Sequence, residues 1–332
     1  MVGVAGDWGG CGFYRVCVPL NGLNGAEVCV TASEENVTAL APDTVLYQRV
    51  GKPEIVAAMK LHKAAGRRVV LDFDDNLHAL PPSNPVFSLY GTGKPHTVAF
   101  EQALQVADVV TCSTQGLKDE YRSLRSDIRV IPNALAPEHV AAFEREYTGA
   151  AKRPGEIRIG YAGTASHAAD LEIARKPLIA IKNKYPQVRL VTVGQYFDGL
   201  SDDHHIGISP ERDEHPGAFM LRYYKLLDSM DFDIALAPLQ SNTFNRCKSW
   251  IKAAECGICG IPVVASNFGP YAAYEGKVAL ASGSVEWASH LIELIESASL
   301  RAELARENYR WIAEHGTSAS TSAEWRGVLL GP

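Results

Sequence analysis

The sequence lacks any apolar run long enough to cross a bilayer, so no membrane-spanning segment is predicted. Its opening, MVGVAGDWGGCGFYR, lacks the charged start and long apolar stretch of a secretory leader. Cysteine is sparse and odd in number: seven, with one CxxC at Cys256 and Cys259. No second pair or nearby histidine completes a zinc ligand set, so those cysteines are expected to pack beside Gly257 and Gly260. A large charge of either sign is missing too. A formal net charge of −6 over 332 residues gives no global attraction for nucleic acid or an anionic membrane. These absences predict a cytoplasmic chain with reduced thiols, no metal and no stable membrane insertion.

What is present suits a packed enzyme: 46% hydrophobic and 21% charged residues, in a chain longer than one ordinary core usually holds. Short continuous apolar runs, such as Thr44-Val45-Leu46-Tyr47, Arg68-Val69-Val70-Leu71 and Asp108-Val109-Val110-Thr111, read as strands buried on both faces. Segments with helical spacing, such as 54–65 and 97–106, separate them. Alternation of this kind predicts parallel sheets built from βαβ units. Around EREYTGAAKRPGE (144–156) the composition turns polar, with Gly149, Pro154 and Gly155, as a linker does. A second series follows, with strands expected at 157–161, 188–193, 232–237, 261–265 and 278–281. Helices are expected at 170–185, 219–228, 248–256 and 287–313. The prediction is an α/β protein of two similar halves, 1–150 and 151–315, with ligands at the carboxyl edges of both sheets.

Three segments carry candidate chemistry. In Asn245-Arg246-Cys247-Lys248-Ser249-Trp250-Ile251-Lys252-Ala253-Ala254-Glu255, a helix starting near Lys248 would put Lys248, Lys252 and Glu255 on one face. Cations at a helix start oppose its dipole, and a bound diphosphate would remove that conflict. Asp72-Phe73-Asp74-Asp75 follows a strand, which places carboxylates at the sheet's carboxyl edge as candidates for positioning or deprotonating a hydroxyl. Phe268-Gly269-Pro270-Tyr271 follows the strand ending at Ala265 and should border the same site. Asp202-Asp203-His204-His205, with His215 beyond, reads as a solvated loop rather than a metal site.

Glu255 lies seven residues before Pro262, in Glu-Cys-Gly-Ile-Cys-Gly-Ile-Pro-Val-Val-Ala-Ser. That segment resembles the donor motif of the retaining family-four GT-B glycosyltransferases. Val130-Ile131-Pro132-Asn133-Ala134-Leu135, Ile159-Gly160-Tyr161-Ala162-Gly163-Thr164-Ala165-Ser166-His167 and Gly9-Gly10-Cys11-Gly12-Phe13-Tyr14-Arg15 resemble further signatures of that family. The resemblance implies a GT-B fold, two Rossmann-like domains facing across a cleft, with residues 316–332 crossing back to the first. It implies a sugar transferred from a nucleoside-diphosphate sugar, UDP ahead of GDP, to a hydroxyl, with retention and without a cofactor.

Glu255 would then hold the donor ribose, while Asn245, Arg246, Lys248, Ser249 and Lys252 serve the diphosphate. Gly10, Gly12 and Arg15 would face the donor, with Gly163, Thr164, His167, Gly269, Pro270 and Tyr271 opposite. His78 and His96 are candidates for a histidine near the acceptor edge. The family's companion glutamate, eight residues before Glu255, falls here on Cys247. That departure leaves a non-catalytic nucleotide-binding module as an alternative, with an epimerase or phosphorylase as a third. A surface glycan is one acceptor. The compact first half also resembles virus-encoded members, some of which glycosylate hydroxymethylated pyrimidines in DNA. Arg67-Arg68 and the segment 118–129 offer local basic surface for DNA phosphates.

Overall fold

The computed structural model describes residues 1–23, 27–31, 33–164, 167–212 and 214–331. Ala165 and Ser166, in the middle of the glycine turn read from the sequence, lie outside the described residues.

Two parallel six-stranded sheets organise the chain. The first contains β1 (Val2–Val4), β2 (Cys29–Thr31), β3 (Thr44–Gln48), β4 (Arg68–Phe73), β5 (Val109–Cys112) and β6 (Arg129–Val130), in the order β2-β1-β3-β4-β5-β6. The second contains β7 (Ile157–Gly163), β8 (Val188–Gly194), β9 (Asp203–His205), β10 (Ile234–Ala237), β11 (Val263–Ser266) and β12 (Ala279–Ala281), in the order β12-β11-β10-β7-β8-β9. The expected strands all form, most within two residues of their sequence bounds. The polar edge strand β9 replaces a segment read as loop. Its partner β8 supplies the apolar side of that pairing, which no local pattern in Asp203–His205 could show.

Each sheet has a point where the strand order reverses. In the first it lies between β1 and β3, in the second between β7 and β10. Open parallel sheets leave a crevice there, beyond the carboxyl ends of the strands. Here those ends carry Gly6, Asp7 and Arg49 on one side, and Thr164 and Leu239 on the other.

Each half has its own core, with Leu71, Phe73, Phe100 and Tyr121 under the first sheet and Ile159, Leu178, Leu190 and Trp287 under the second. A third cluster joins them, in which Phe13, Tyr14 and Val18 pack with Met220, Tyr224 and Ala254. The helix Ser318–Leu329 returns to the first sheet, where Trp325, Val328 and Leu329 cover Val16, Leu46 and Val70.

The region read as one helix over 287–313 is two, Ser284–Glu296 and Ala298–His315. Ser297 separates them and accepts a hydrogen bond from the Leu300 N–H, which caps the second. The helix expected from Lys248 starts at Ile251 instead. Asn242 caps a short turn, Thr243–Arg246, and the chain breaks over 247–250 before the longer helix.

Candidate active site

The segment after β1 enters a turn at Gly10–Gly12 and then a π-helical stretch, Phe13–Cys17. Glycine is required at position 12, since a Cβ there would stand 2.1 Å from the Asp7 carbonyl oxygen. Asp7 anchors the turn by accepting from the Gly9 N–H at 2.9 Å. The π stretch sends its consecutive residues in different directions. Tyr14 reaches the second half, where its hydroxyl donates to Glu255 Oε1 at 2.8 Å and meets the Tyr224 hydroxyl at 2.7 Å. Arg15 turns into the first half.

Arg15 is fully buried and makes a two-pronged ion pair with Asp72, at 2.8 Å from Nε and 2.6 Å from Nη2. The same guanidinium donates to the Ile131 carbonyl and to Asn133, and lies 5.2 Å from the centre of the Trp325 ring. Thr111 donates to Asp72 as well. Both groups are therefore partnered beneath the sheet edge, away from the cleft, and Gly12 is buried against Asp7 and Ala5. Buried charges that must stay ionised need such satisfaction.

Asp74 and Asp75 do reach the cleft. Arg49, at the end of β3 with a positive φ of 53°, is the centre of their charge cluster. Its Nη2 lies 2.8 Å from Asp74 and 3.1 Å from Asp75, and its Nη1 is 3.8 Å from Asp7. From the opposite half, Lys248 Nζ donates to Asp75 Oδ1 at 2.6 Å. Burial alone would raise the Asp75 carboxyl, but Lys248 and Arg49 outweigh it and hold the group down at about 2. Asp75 is thus an anion at any working pH.

Lys248, Lys252 and Glu255 line one cavity of about 350 Å³, together with Gly10, Tyr14, Gly163, Thr164, His167, Ser249 and Tyr271. It sits at the reversal point of the second sheet, between the ends of β7 and β10. Lys252 Nζ donates to the Ala162 carbonyl, and Ser249 accepts from Asn133 of the first half at 2.9 Å. Glu255 is 8% exposed. Burial pushes its carboxyl above the usual value, against the pull of Lys252 and the Tyr14 and Tyr223 hydroxyls. His167 is held by Asp170, Nδ1 to Oδ2 at 2.9 Å. Burial lowers the imidazole, the Asp170 bond opposes that, and the charges of Lys252 and Lys248 add to the lowering.

Other sequence candidates stand outside these walls. Asn245 is buried and donates to Asp170 and to the Gln240 carbonyl. Arg246 is exposed and reaches only Thr243 among the described residues. Gly269 packs on the backbone of 245–246 with a φ of +58°, and Pro270 continues that turn. His78 faces Glu101, while His96 lines a second cavity. Arg67 meets His62, Arg68 donates to the Val328 carbonyl, and Arg125 to the carbonyls of Leu104 and Ala107. Among the described residues no three His, Cys, Asp or Glu side chains come together to hold a metal ion, and no helix is long and apolar enough to cross a membrane.

Among solved structures, this architecture is similar to HepE of Anabaena in complex with UDP, at 16% identity over 97% of this chain and 96% of that one, with a TM-score of 0.59. TarM of S. aureus matches at 13% identity and a TM-score of 0.61, over 89% of this chain and 57% of that one. A UDP-forming α,α-trehalose-phosphate synthase of Burkholderia xenovorans matches at 10% identity and a TM-score of 0.57, over 90% and 76%. No protein-family model and no curated protein matches the sequence.

The fold is GT-B. In this GT-B frame, Cys247 explains itself. It is 1% exposed and belongs to the core of the first half, with Asn76 donating to its sulfur at 3.6 Å. The segment around it docks on that half, since Thr114 also donates to the Cys247 carbonyl. Its side chain faces away from the cavity that Lys248 and Glu255 line. Sequence reasoning missed Arg49, Tyr223 and the pairing of Tyr14 with Glu255. A lone arginine after a strand carries no motif, and its three carboxylate partners come from two separate strand ends.

Proposed function

We propose that the protein is a glycosyltransferase that moves a sugar from a UDP-sugar to a hydroxyl acceptor, with retention at the anomeric carbon. The observation that carries this reading is the convergence of Lys248, Lys252 and Glu255 on one cavity at the reversal point of the second sheet. Two lysines and a helix start at Ile251 suit a diphosphate, and a buried carboxylate suits the paired hydroxyls of a ribose. UDP is favoured because the structures of HepE hold UDP and UDP-glucose. Retention rests on the resemblance of 255–266 to the family-four donor motif.

In the reaction, the acceptor oxygen bonds to the anomeric carbon, the bond from that carbon to the diphosphate breaks with its electron pair leaving on UDP, and the acceptor's O–H proton is released with the UDP. Lys248 and Lys252 stabilise the departing charge with groups already in place. Asp75, held ionised by Lys248 and Arg49, accepts a hydrogen bond from the acceptor hydroxyl and orients it. Calorimetric titration of UDP and UDP-glucose into wild type and Glu255→Ala tests the donor site. Loss of most of the affinity in the variant is expected, and equal affinity in both would remove the assignment. Binding without release of UDP, across all acceptors tried, would leave a nucleotide-binding module.

A further inference from the structure

A smaller cavity, of about 110 Å³, lies at the opposite edge of the second sheet from the donor cavity. Phe232 and Asp233, just before β10, and Pro262, just before β11, line it, whereas the donor cavity lies beyond the strands' carboxyl ends. One wall is the stretch 145–150, which joins the halves, and another is the helix Ala298–His315. Gly149 seats the first on the second: its φ is +65°, and a Cβ there would stand 1.9 Å from the Ala298 carbonyl oxygen.

Arg301, in the helix wall, is 5% exposed and makes no ion pair among the described residues. Its Nε donates to the Gly149 carbonyl, and its Nη1 to the carbonyls of Leu294 and Ile295. Those bonds close the end of the helix Ser284–Glu296 and fix the plane of the guanidinium, while Nη2 has no hydrogen-bond partner among the described residues. A buried cation held only by neutral carbonyls is short of a counter-charge. The Tyr147 hydroxyl, in the wall formed by 145–150, is also buried without a hydrogen-bond partner. Thr148 accepts from the Ala150 N–H, which leaves its own O–H to donate. The Lys152 ammonium has no ion-pair partner among the described residues, and Arg145 is taken by Asp228 at 2.8 Å.

Two carboxylates belong to these walls. Asp233 accepts from the backbone N–H groups of Lys152 at 2.9 Å and Arg158 at 2.8 Å, and Glu146 is exposed. What stands unfilled is a set of donors: Arg301 Nη2, the hydroxyls of Tyr147 and Thr148, and Lys152 Nζ. A ligand that only accepts, and is negatively charged, completes that set. The volume is well below the roughly 300 Å³ at which small-molecule sites begin, so it suits an ion of a few heavy atoms rather than a nucleotide or a sugar.

We propose that this cavity binds a tetrahedral oxyanion of the phosphate class, outside the donor site and independently of it. Arg301 and Lys152 supply the charge, and Tyr147 and Thr148 supply hydroxyl donors. Because Tyr147 and Thr148 belong to the stretch between the halves and Arg301 to the second half, the bound ion fastens one to the other. Occupancy then stabilises the folded chain by mass action.

The test is calorimetric titration of inorganic phosphate at constant ionic strength, with UDP present to fill the donor cavity. The proteins are wild type, Tyr147→Phe/Lys152→Met, Arg301→Gln and Lys248→Met. Saturable binding to wild type is expected, with a melting temperature that rises with phosphate. Tyr147→Phe/Lys152→Met keeps every bond of Arg301 and should bind at least tenfold more weakly. Arg301→Gln should abolish binding, and if that variant does not fold the double variant decides. Lys248→Met should bind phosphate as wild type does. No saturable binding to wild type, or equal binding in wild type and the double variant, overturns the proposal. So does loss of binding in Lys248→Met, which would place the phosphate in the donor cavity.

Discussion

The Tyr14 hydroxyl donates across the cleft to Glu255 at 2.8 Å, so a residue of the first half grips the carboxylate proposed to hold the ribose in the second. Their bond lies inside the apolar cluster that joins the halves, where an ionised carboxylate needs every donor it has. One bond therefore both joins the halves and supplies a donor to the carboxylate of the proposed donor site.

Tyr14→Phe removes that donor and leaves the fold's apolar contacts in place. UDP binding is expected to weaken roughly tenfold, the worth of about 1.4 kcal/mol. The pH dependence follows from the same contacts. Burial raises the Glu255 carboxyl and the Tyr14 bond opposes the rise, so losing Tyr14 lifts it further. Affinity should fall as pH drops through that raised value, and the fall should begin at a higher pH in the variant. Titration of UDP between pH 8 and pH 5 checks both; identical profiles would count against the role of Glu255.

Lys248 touches both the donor cavity and Asp75. Lys248→Met is expected to lower kcat by a factor of about 100 to 1,000, the usual loss when one preorganised group facing a developing charge is removed. Lys248→Arg should recover part of it. Steady-state UDP release is the measurement, and a loss below tenfold would assign the departing charge to other groups.

Arg15 and Asp72 make the opposite case, because their pairing is internal. Removing one partner strands a buried charge, so Asp72→Ala should destabilise the protein by about 3–5 kcal/mol. Arg15→Met/Asp72→Leu, which removes both charges, should come closer to wild type. Urea midpoints for the three proteins decide this, and a single variant as stable as wild type would show that the pair carries little. Asp72 and Arg15 were legible in the sequence as residues at the right edge. That they face each other instead of the cleft was not, since it depends on Trp325, Asn133 and Thr111 arriving from distant segments.

Cys247→Ala should leave UDP-sugar turnover within about threefold of wild type, because its side chain packs in the first half's core. Cys247→Glu, which restores the family's residue, should instead bury a carboxylate there and lower the melting temperature. A gain of activity in that variant would mean that the segment 247–250 can turn toward the donor.

Much of the architecture could be read from periodicity alone, because strands buried on both faces are continuous apolar runs, as at 68–71 and 157–161. The donor cluster was legible as residue types, Lys248, Lys252 and Glu255, though the helix starts three residues later than its spacing suggested and carries only Lys252 and Glu255, leaving Lys248 in the segment before it. The edge strand Asp203–His205 and the charge cluster around Arg49 were not legible. In both, the chemistry is made by partners far away in sequence.

The chain passes between its halves twice. One passage is the stretch after Phe143. The other is near Thr317, where Leu135 takes a hydrogen bond from the Ser318 N–H and gives its own N–H to Gly316. The last helix is then moored to the first sheet through Thr44 and Arg68. Two covalent crossings make a spine, as in a book, and tie the halves along one line. The Tyr14–Glu255 and Lys248–Asp75 contacts both run from one cover to the other. A chain cut before Ser318 would lose one of the two covalent ties and expose the page beneath, the apolar face of Val16, Leu46 and Val70.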